Sequence, residues 1–258
     1  MVKIAIPGAA GRMGEALIET AEKTAGIEAS FLLERKGHEA VGTEIKGLKV
    51  SDDLDSNTGR FDVFVDFTVP KASIENLKIL VREKKALVLA TTGFNKEELA
   101  EIEEASKIIP VVFASNYSVG VNVMWKVLKD MTKIMKEDYD IDIVESHHRH
   151  KKDAPSGTAV TCAEVIMNEK ELDYEKNVVY GRSGRDNERN RGQLGVLAVR
   201  GGGVIGEHTV IYAGDEDKLE LKHTSFSRKT FASGALKAAV FAAGKKPGLY
   251  GMDEVLGF

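Results

Sequence analysis

The sequence predicts an α/β protein in two parts: a parallel sheet with helices on both faces, then an α+β region built on a mixed sheet. Three observations carry this. Up to Ser118, short apolar or β-branched runs alternate with amphipathic stretches. After Glu137 the pattern changes to the polar–apolar alternation of half-buried strands. The first strand-to-helix junction carries glycines at positions 8, 11 and 14.

The elements follow in order. "VKIAIPG" reads as a strand, "RMGEALIETAEKTAG" as a helix ended by Gly26, and "IEASFLLE" as the next strand. "FDVFVDFT", "ALVLATTG" and "PVVFASN" read as buried strands, separated by the helices "KASIENLKILVREKK" and "NKEELAEIEEASKI". "VGVNVMWKVLKDMTKIMKE" is a helix with an apolar stripe. "DYDIDIVES", "GQLGVLAVRGG", "EHTVIYAG" and "KLELKHTSFS" then predict a mostly antiparallel, mixed sheet. Helical spacing returns in "RKTFASGALKAAVFAAGKK", which is expected to pack back on the first region. The predicted domains are residues 1–118 with 229–258, and residues 119–228.

With 258 residues, 43% hydrophobic and 29% charged, the chain can bury a sizeable core. No stretch reaches the roughly 20 apolar residues of a membrane span, and the N-terminus lacks the pattern of a secretory signal, so the expected location is cytoplasmic. A formal net charge of −4 argues against bulk nucleic-acid binding, which needs a basic footprint. The single cysteine, Cys162, sits in the apolar run "TAVTCAEVI" and reads as a buried structural residue.

Ligands of open parallel sheets bind at the carboxyl ends of the strands. The first strand ends in Gly8-Ala9-Ala10-Gly11-Arg12-Met13-Gly14. Glycines there allow a tight turn and close helix packing, and the free N–H groups of the following helix receive a pyrophosphate. The spacing is G-x-x-G-x-x-G, looser than the usual dinucleotide fingerprint. Glu34 lies 20 residues beyond Gly14, where an acid that bonds an adenosine ribose is expected. Arg35 and Lys36 follow it and can hold a 2′-phosphate, so NADH and NADPH both remain open. Thr91-Thr92-Gly93 and Ser115-Asn116-Tyr117-Ser118 end two further strands and offer hydroxyl and amide groups to the nicotinamide end.

"ESHHRHKKDAPSGTA", residues 145 to 159, holds three of the six histidines beside Arg149, Lys151 and Lys152. Continued as an extended strand, it would place His147 and Arg149 on one side and His148 and His150 on the other. The imidazoles would then not converge on one metal, and the adjacent cations would repel it. The arginine-rich "GRSGRDNERNRG" contains Asp186 and Glu188 and no interleaved aromatics, which disfavours RNA binding. An anionic small-molecule pocket remains. A helix entered through Pro155 and Ser156 would aim N–H groups near Gly157 and Thr158 at a carboxylate, with lysine and histidine supplying charge and a proton.

These residues resemble the dihydrodipicolinate reductase family. "GAAGRMG", "LER", "FDVFVDFTVP", "TTGF", "NYSVGVNV", "ESHHRHKKDAPSGTA" and "GEHT" follow the order of its signatures over nearly the whole chain. The resemblance implies a Rossmann-like NAD(P)-binding domain and an α+β domain that binds substrate and forms a homotetramer. It implies NADH- or NADPH-dependent reduction of a small dicarboxylate, 4-hydroxy-tetrahydrodipicolinate or dihydrodipicolinate, in diaminopimelate and lysine biosynthesis, without a metal. By the same resemblance His147 and Lys151 are catalytic, while His148, Gly157 and Thr158 bind substrate. Gly8, Ala9, Ala10, Gly11, Arg12 and Met13 meet the pyrophosphate. Glu34 and Arg35 meet the adenosine ribose; Ala90, Thr91, Thr92, Ala114, Ser115, Asn116 and Tyr117 meet the nicotinamide end. Two departures stand out. Ala90 replaces the family's usual Gly, and Tyr117 replaces Phe, adding a hydroxyl expected near the nicotinamide.

Overall fold

The computed structural model describes residues 1–135 and 138–258. In chain order it runs β1 (Val2–Pro7), α1 (Arg12–Ala21), β2 (Ile27–Leu33), β3 (Glu44–Ile45), β4 (Leu48–Ser51), a 3-10 turn (Asp55–Arg60), β5 (Val63–Asp66), α2 (Pro70–Arg82), β6 (Ala86–Leu89), α3 (Lys96–Ser106) and β7 (Pro110–Phe113). It continues through α4 (Val119–Met135), β8 (Asp140–His147), α5 (Gly157–Glu169), α6 (Tyr174–Asn177), β9 (Val178–Val179), β10 (Leu194–Arg200), β11 (Gly206–Ala213) and β12 (Lys218–Ser225). It closes with α7 (Lys229–Ala243), β13 (Gly248–Tyr250) and α8 (Met252–Leu256). The sequence pattern carries α4 to Glu137; Lys136 and Glu137 lie outside the described residues. Among the described residues no helix is long and apolar enough to cross a membrane.

The chain divides into two compact units, Met1–Val119 with Arg228–Phe258, and Gly120–Ser227. The first holds an eight-stranded sheet in the order β13-β7-β6-β5-β1-β2-β4-β3, parallel except where β3 pairs with β4. Its central strands are buried on both faces, as their unbroken apolar runs require. Ile4, Ile6, Val63 and Val65 face one core together with α1 and the alanines of α7, while Ala5, Phe64, Leu80 and Ile102 face the other with α2 and α3. The short β3, β4 and β13 carry too few residues to show a period and escape the sequence pattern.

Helix α1 stops at Ala21 rather than running to Gly26. Lys23 N and Thr24 N donate to Thr20 O and Ala21 O, which tightens the chain into turns before Gly26, at φ +84°, leads into β2.

The second unit holds a five-stranded sheet, β12-β11-β8-β10-β9. The predicted antiparallel majority is absent: β12/β11 and β11/β8 are antiparallel, but β8/β10 and β10/β9 are parallel. Helix α5 lies between β8 and β10 in the chain, and such a crossover permits a parallel pair. One sheet face packs Ile141, Ile143, Val196 and Val210 against Met124, Leu128, Cys162 and Ile166 of α4 and α5. Cys162 is fully buried and burial pushes its thiol up to about 12, so it is an inert packing residue. On the opposite face Leu197 and Val199 remain 38% and 51% exposed.

Gly234 of α7 shows how closely this helix approaches the sheet's loops: a Cβ there would overlap the carbonyl of Tyr117. Gly234→Ala is therefore expected to cost about 2–3 kcal/mol as overpacking, read by denaturant unfolding. An unchanged midpoint would mean that the Tyr117 carbonyl withdraws freely.

Candidate functional site

In the first unit the site grows from the junction of β1 and α1. Gly8 adopts φ +64°, where a side chain would be strained. Gly14 sits where a Cβ would overlap Gly8 O and the Ala9 backbone, so the helix start presses against the turn. Gly11 caps α1 with no side-chain bond, leaving the first-turn N–H groups to face outward. An open cleft of about 1410 Å³ is lined by Gly8, Ala10, Gly11, Arg12, Met13, Glu34 and Arg35, together with Lys36, Thr68 and Arg228. Such a cradle suits a dinucleotide pyrophosphate.

Ala9 is not in this lining; its side chain is buried in the core and its N–H donates to Leu33 O. Glu34 is itself nearly buried. Its Oε1 accepts the Ala10 N–H at 3.0 Å and its Oε2 accepts the Arg35 N–H at 3.3 Å, so the carboxylate braces the glycine-rich turn. Arg35 and Lys36 are exposed beside it.

Ala90, Thr91 and Thr92 follow β6, and Ala114, Ser115, Asn116 and Tyr117 follow β7, outside that cleft but at the same carboxyl edge of the sheet. Ala90 does not occupy the left-handed region, so its methyl group replaces the family's glycine without strain. Thr91 corrects one expectation. Its side chain is buried, accepting from Ser73 Oγ at 3.0 Å and donating to Asp66 Oδ1 at 3.4 Å, so the hydroxyl serves the core. Burial raises the Asp66 carboxyl above its ordinary value against the pull of Thr68, Ser73 and Thr91. Tyr117 corrects another. It is buried, and its hydroxyl shares one proton between Val112 O at 2.8 Å and Leu89 O at 3.1 Å, joining β7 to β6 rather than facing a ligand.

In the second unit β8 ends at His147, and the extended reading through His150 fails there. Gly201 N donates to His147 O, and His148 O accepts the Lys151 N–H, so the chain turns. His147 is buried and faces inward, whereas Arg149 and His150 are exposed. The His148 and His150 rings lie 6.3 Å apart. Lys151 pairs with Asp153 at 2.9 Å. Ser156 caps α5, accepting from Ala159 N, which places Gly157 and Thr158 in the first helical turn.

Around His147 stand Glu145, Arg200, Gly206 and His208, to which sequence reasoning assigned no role, and Ser156, read there only as the entry to the helix. His147 Nδ1 lies 2.6 Å from Glu145 Oε2. Arg200 grips the same carboxylate through both terminal nitrogens at 2.7 Å. Burial works against the Glu145 charge, but Arg200, His147 and the Ser156 N–H hold the carboxyl below its ordinary range. Burial lowers the His147 imidazole, and Glu145 opposes that. His208 lies edge-on to His147 with ring centroids 5.2 Å apart and bonds Ser156 Oγ at 2.8 Å. Burial, helped by His147, pushes it down to about 3, so it stays neutral. The available signal was the strand period, which sets Glu145 on the same face as His147. Chemically the cluster offers a proton at a carboxylate-held imidazole beside a lysine and a helix start suited to anions.

Two family models match the chain, dihydrodipicolinate reductase N-terminus over residues 2–117 and dihydrodipicolinate reductase C-terminus over residues 120–256. A 4-hydroxy-tetrahydrodipicolinate reductase of Geobacter metallireducens is 47% identical, covering 100% of this chain and 99% of its own. That of Geobacter sulfurreducens is 45% identical with the same coverage. Among solved structures, a dipicolinate-bound dihydrodipicolinate reductase from Paenisporosarcina sp. TG-14 shares the fold with a TM-score of 0.76 at 24% identity, over 98% of this chain and 99% of that one.

The position of the Tyr117 hydroxyl leads to a direct expectation. Tyr117→Phe should lose about 1 kcal/mol of stability, from the loss of the buried hydroxyl's bond to the Val112 and Leu89 carbonyls, and keep its coenzyme affinity. Denaturant unfolding and fluorescence titration with reduced coenzyme read the two; weakened binding at unchanged stability would return the hydroxyl to the ligand site.

Proposed function

The chain belongs to the dihydrodipicolinate reductase family, and on that premise we propose that it reduces 4-hydroxy-tetrahydrodipicolinate, by way of dihydrodipicolinate, to tetrahydrodipicolinate in the diaminopimelate route to lysine. It is an oxidoreductase with a nicotinamide-binding domain. The observation that carries the catalytic reading is the imidazole of His147, held by a buried carboxylate beside Lys151 and the start of α5.

The coenzyme is held by the turn from Gly8 to Met13, by Glu34 and Arg35 at its adenosine end, and by residues 90–92 and 114–117 through backbone groups at its nicotinamide end. When bound, the reduced nicotinamide supplies a hydride, hence two electrons, to C4 of the conjugated cyclic imine left by loss of water. One proton completes the reduction. His147 and Lys151 are its donors, directly or through a water, and the proton quenches the negative charge that develops on the conjugated nitrogen system. Lys151, His148 and the Gly157 and Thr158 donors hold the two substrate carboxylates. Glu34 accepts from Ala10 beside exposed Arg35 and Lys36, which can meet a 2′-phosphate, and this supports a coenzyme that is NADH or NADPH.

The protein works in the cytoplasm as a homotetramer. Supporting the assembly, Val144, Leu197, Val199 and Ile211 alternate onto the sheet face opposite α5, and Leu197 and Val199 are exposed there. Sedimentation equilibrium should return the mass of four chains, and Val199→Asp should lower it; a monomeric wild-type chain contradicts the assembly.

The activity test follows absorbance at 340 nm with each reduced coenzyme and freshly generated 4-hydroxy-tetrahydrodipicolinate. His147→Ala should lower kcat by about 10² to 10⁴-fold with coenzyme affinity unchanged. Lys151→Ala should lose turnover and raise KM. Full turnover in the first variant removes His147 from the chemistry, and no oxidation by folded wild-type protein removes the reaction itself.

A further inference from the structure

Glu145 is a carboxylate with 0% of its surface exposed, two residues before the end of β8. An ion in that position is costly unless every lone pair is met. Here each is. Oε1 accepts Ser156 N at 2.9 Å and Arg200 Nη2 at 2.7 Å; Oε2 accepts Arg200 Nη1 at 2.7 Å and faces His147 Nδ1 at 2.6 Å. Arg200 is itself anchored, donating to Asp153 O at 2.7 Å and Val199 O at 2.7 Å. The strand register brings these groups within reach: on β10, Arg200 stands opposite His147 and the small Ala198 opposite Glu145.

We propose that Glu145 is a positioning residue for proton transfer: squared up by the Arg200 fork, its carboxylate holds His147 by Nδ1 so that Nε2 is the nitrogen that exchanges a proton. Through the Ser156 N–H the same carboxylate registers the start of α5 with the imidazole. This inference deepens the reading above and rests on His147 as a proton donor. An ionised carboxylate at Nδ1 selects the tautomer with hydrogen on Nδ1, so the neutral ring has a bare Nε2 and the charged ring donates from it. Gly206 leaves room there, since a Cβ at that position would lie 3.0 Å from Nε2.

The charged and titratable groups around His147 are Glu145 on its own strand, Lys151 just past the strand end, Arg200 on β10 and His208 on β11. Burial lowers the imidazole most, Lys151 and Arg200 lower it further, and Glu145 raises it. A donor must be protonated, so turnover falls as pH rises through the His147 pKa. Glu145→Gln removes the charge that favours the imidazolium and should move this alkaline limb of kcat to lower pH. Arg200→Gln removes a competing cation and should move it to higher pH. A merely structural role predicts loss of activity in both without opposed shifts.

The experiment is the pH profile of kcat for wild type, Glu145→Gln, Arg200→Gln, His147→Gln and the double variant Glu145→Gln/His147→Gln, with circular dichroism and coenzyme binding as checks of folding. Expected are a kcat lower by about 10²-fold in Glu145→Gln near neutral pH, opposed limb shifts, and no further loss when Glu145→Gln is added to His147→Gln. Limbs that stay in place, or a full additional loss in the double variant, overturn the positioning role while leaving His147 as donor. Wild-type turnover in His147→Gln overturns the donor reading and this inference with it. If Glu145→Gln does not fold, the Arg200→Gln limb decides alone, and absence of an alkaline shift sinks the proposal.

Discussion

Parallel strands cannot be joined by a tight turn; the chain must cross the sheet, and it does so through a helix. This constraint organises both units. After β1 the chain enters α1 through the glycine-rich turn, and after β8 it enters α5 through the histidine-rich segment before returning in parallel as β10. Each crossover sets a helix N-terminus beside the carboxyl end of a strand, where N–H groups have no partner within the helix. The two proposed ligand sites, one for a pyrophosphate and one for a carboxylate, are these two junctions. The fold supplies the anion affinity, and side chains supply the selection.

Two buried acids, one in each unit, show how differently strand ends can be built. Asp66, at the end of β5, is surrounded by hydroxyls and a backbone N–H, and burial raises its carboxyl. Glu145, at the end of β8, meets a guanidinium and stays below the ordinary range despite burial. A set of uncharged donors suits a residue that ties strand ends together, whereas a negative charge fixed by a guanidinium can bias a neighbouring imidazole. The difference comes from the partner strand: β10 presents Arg200, and β6 leads to Thr91. Tyr117 follows the logic of Asp66, spending its hydroxyl on two strand carbonyls.

By itself the sequence determined the α/β class, the alternation of the first sheet, the mixed second sheet and the glycine-rich turn. These are local matters: a period of 2 or 3.6, or a backbone angle only glycine tolerates, is written in neighbouring residues. The motif order likewise sufficed for the family. Tertiary structure alone decided what depends on residues far apart in the chain. The even split of parallel and antiparallel pairs follows from strand order, which no local period encodes. Thr91 and Tyr117 read as hydroxyls offered to the nicotinamide end because they follow strands, yet partners on α2, β5, β6 and β7 hold those hydroxyls in the core. Glu145, Arg200 and His208 come together from three strands, because satisfying a buried charge requires donors that only pairing across a sheet can bring within 3 Å or so.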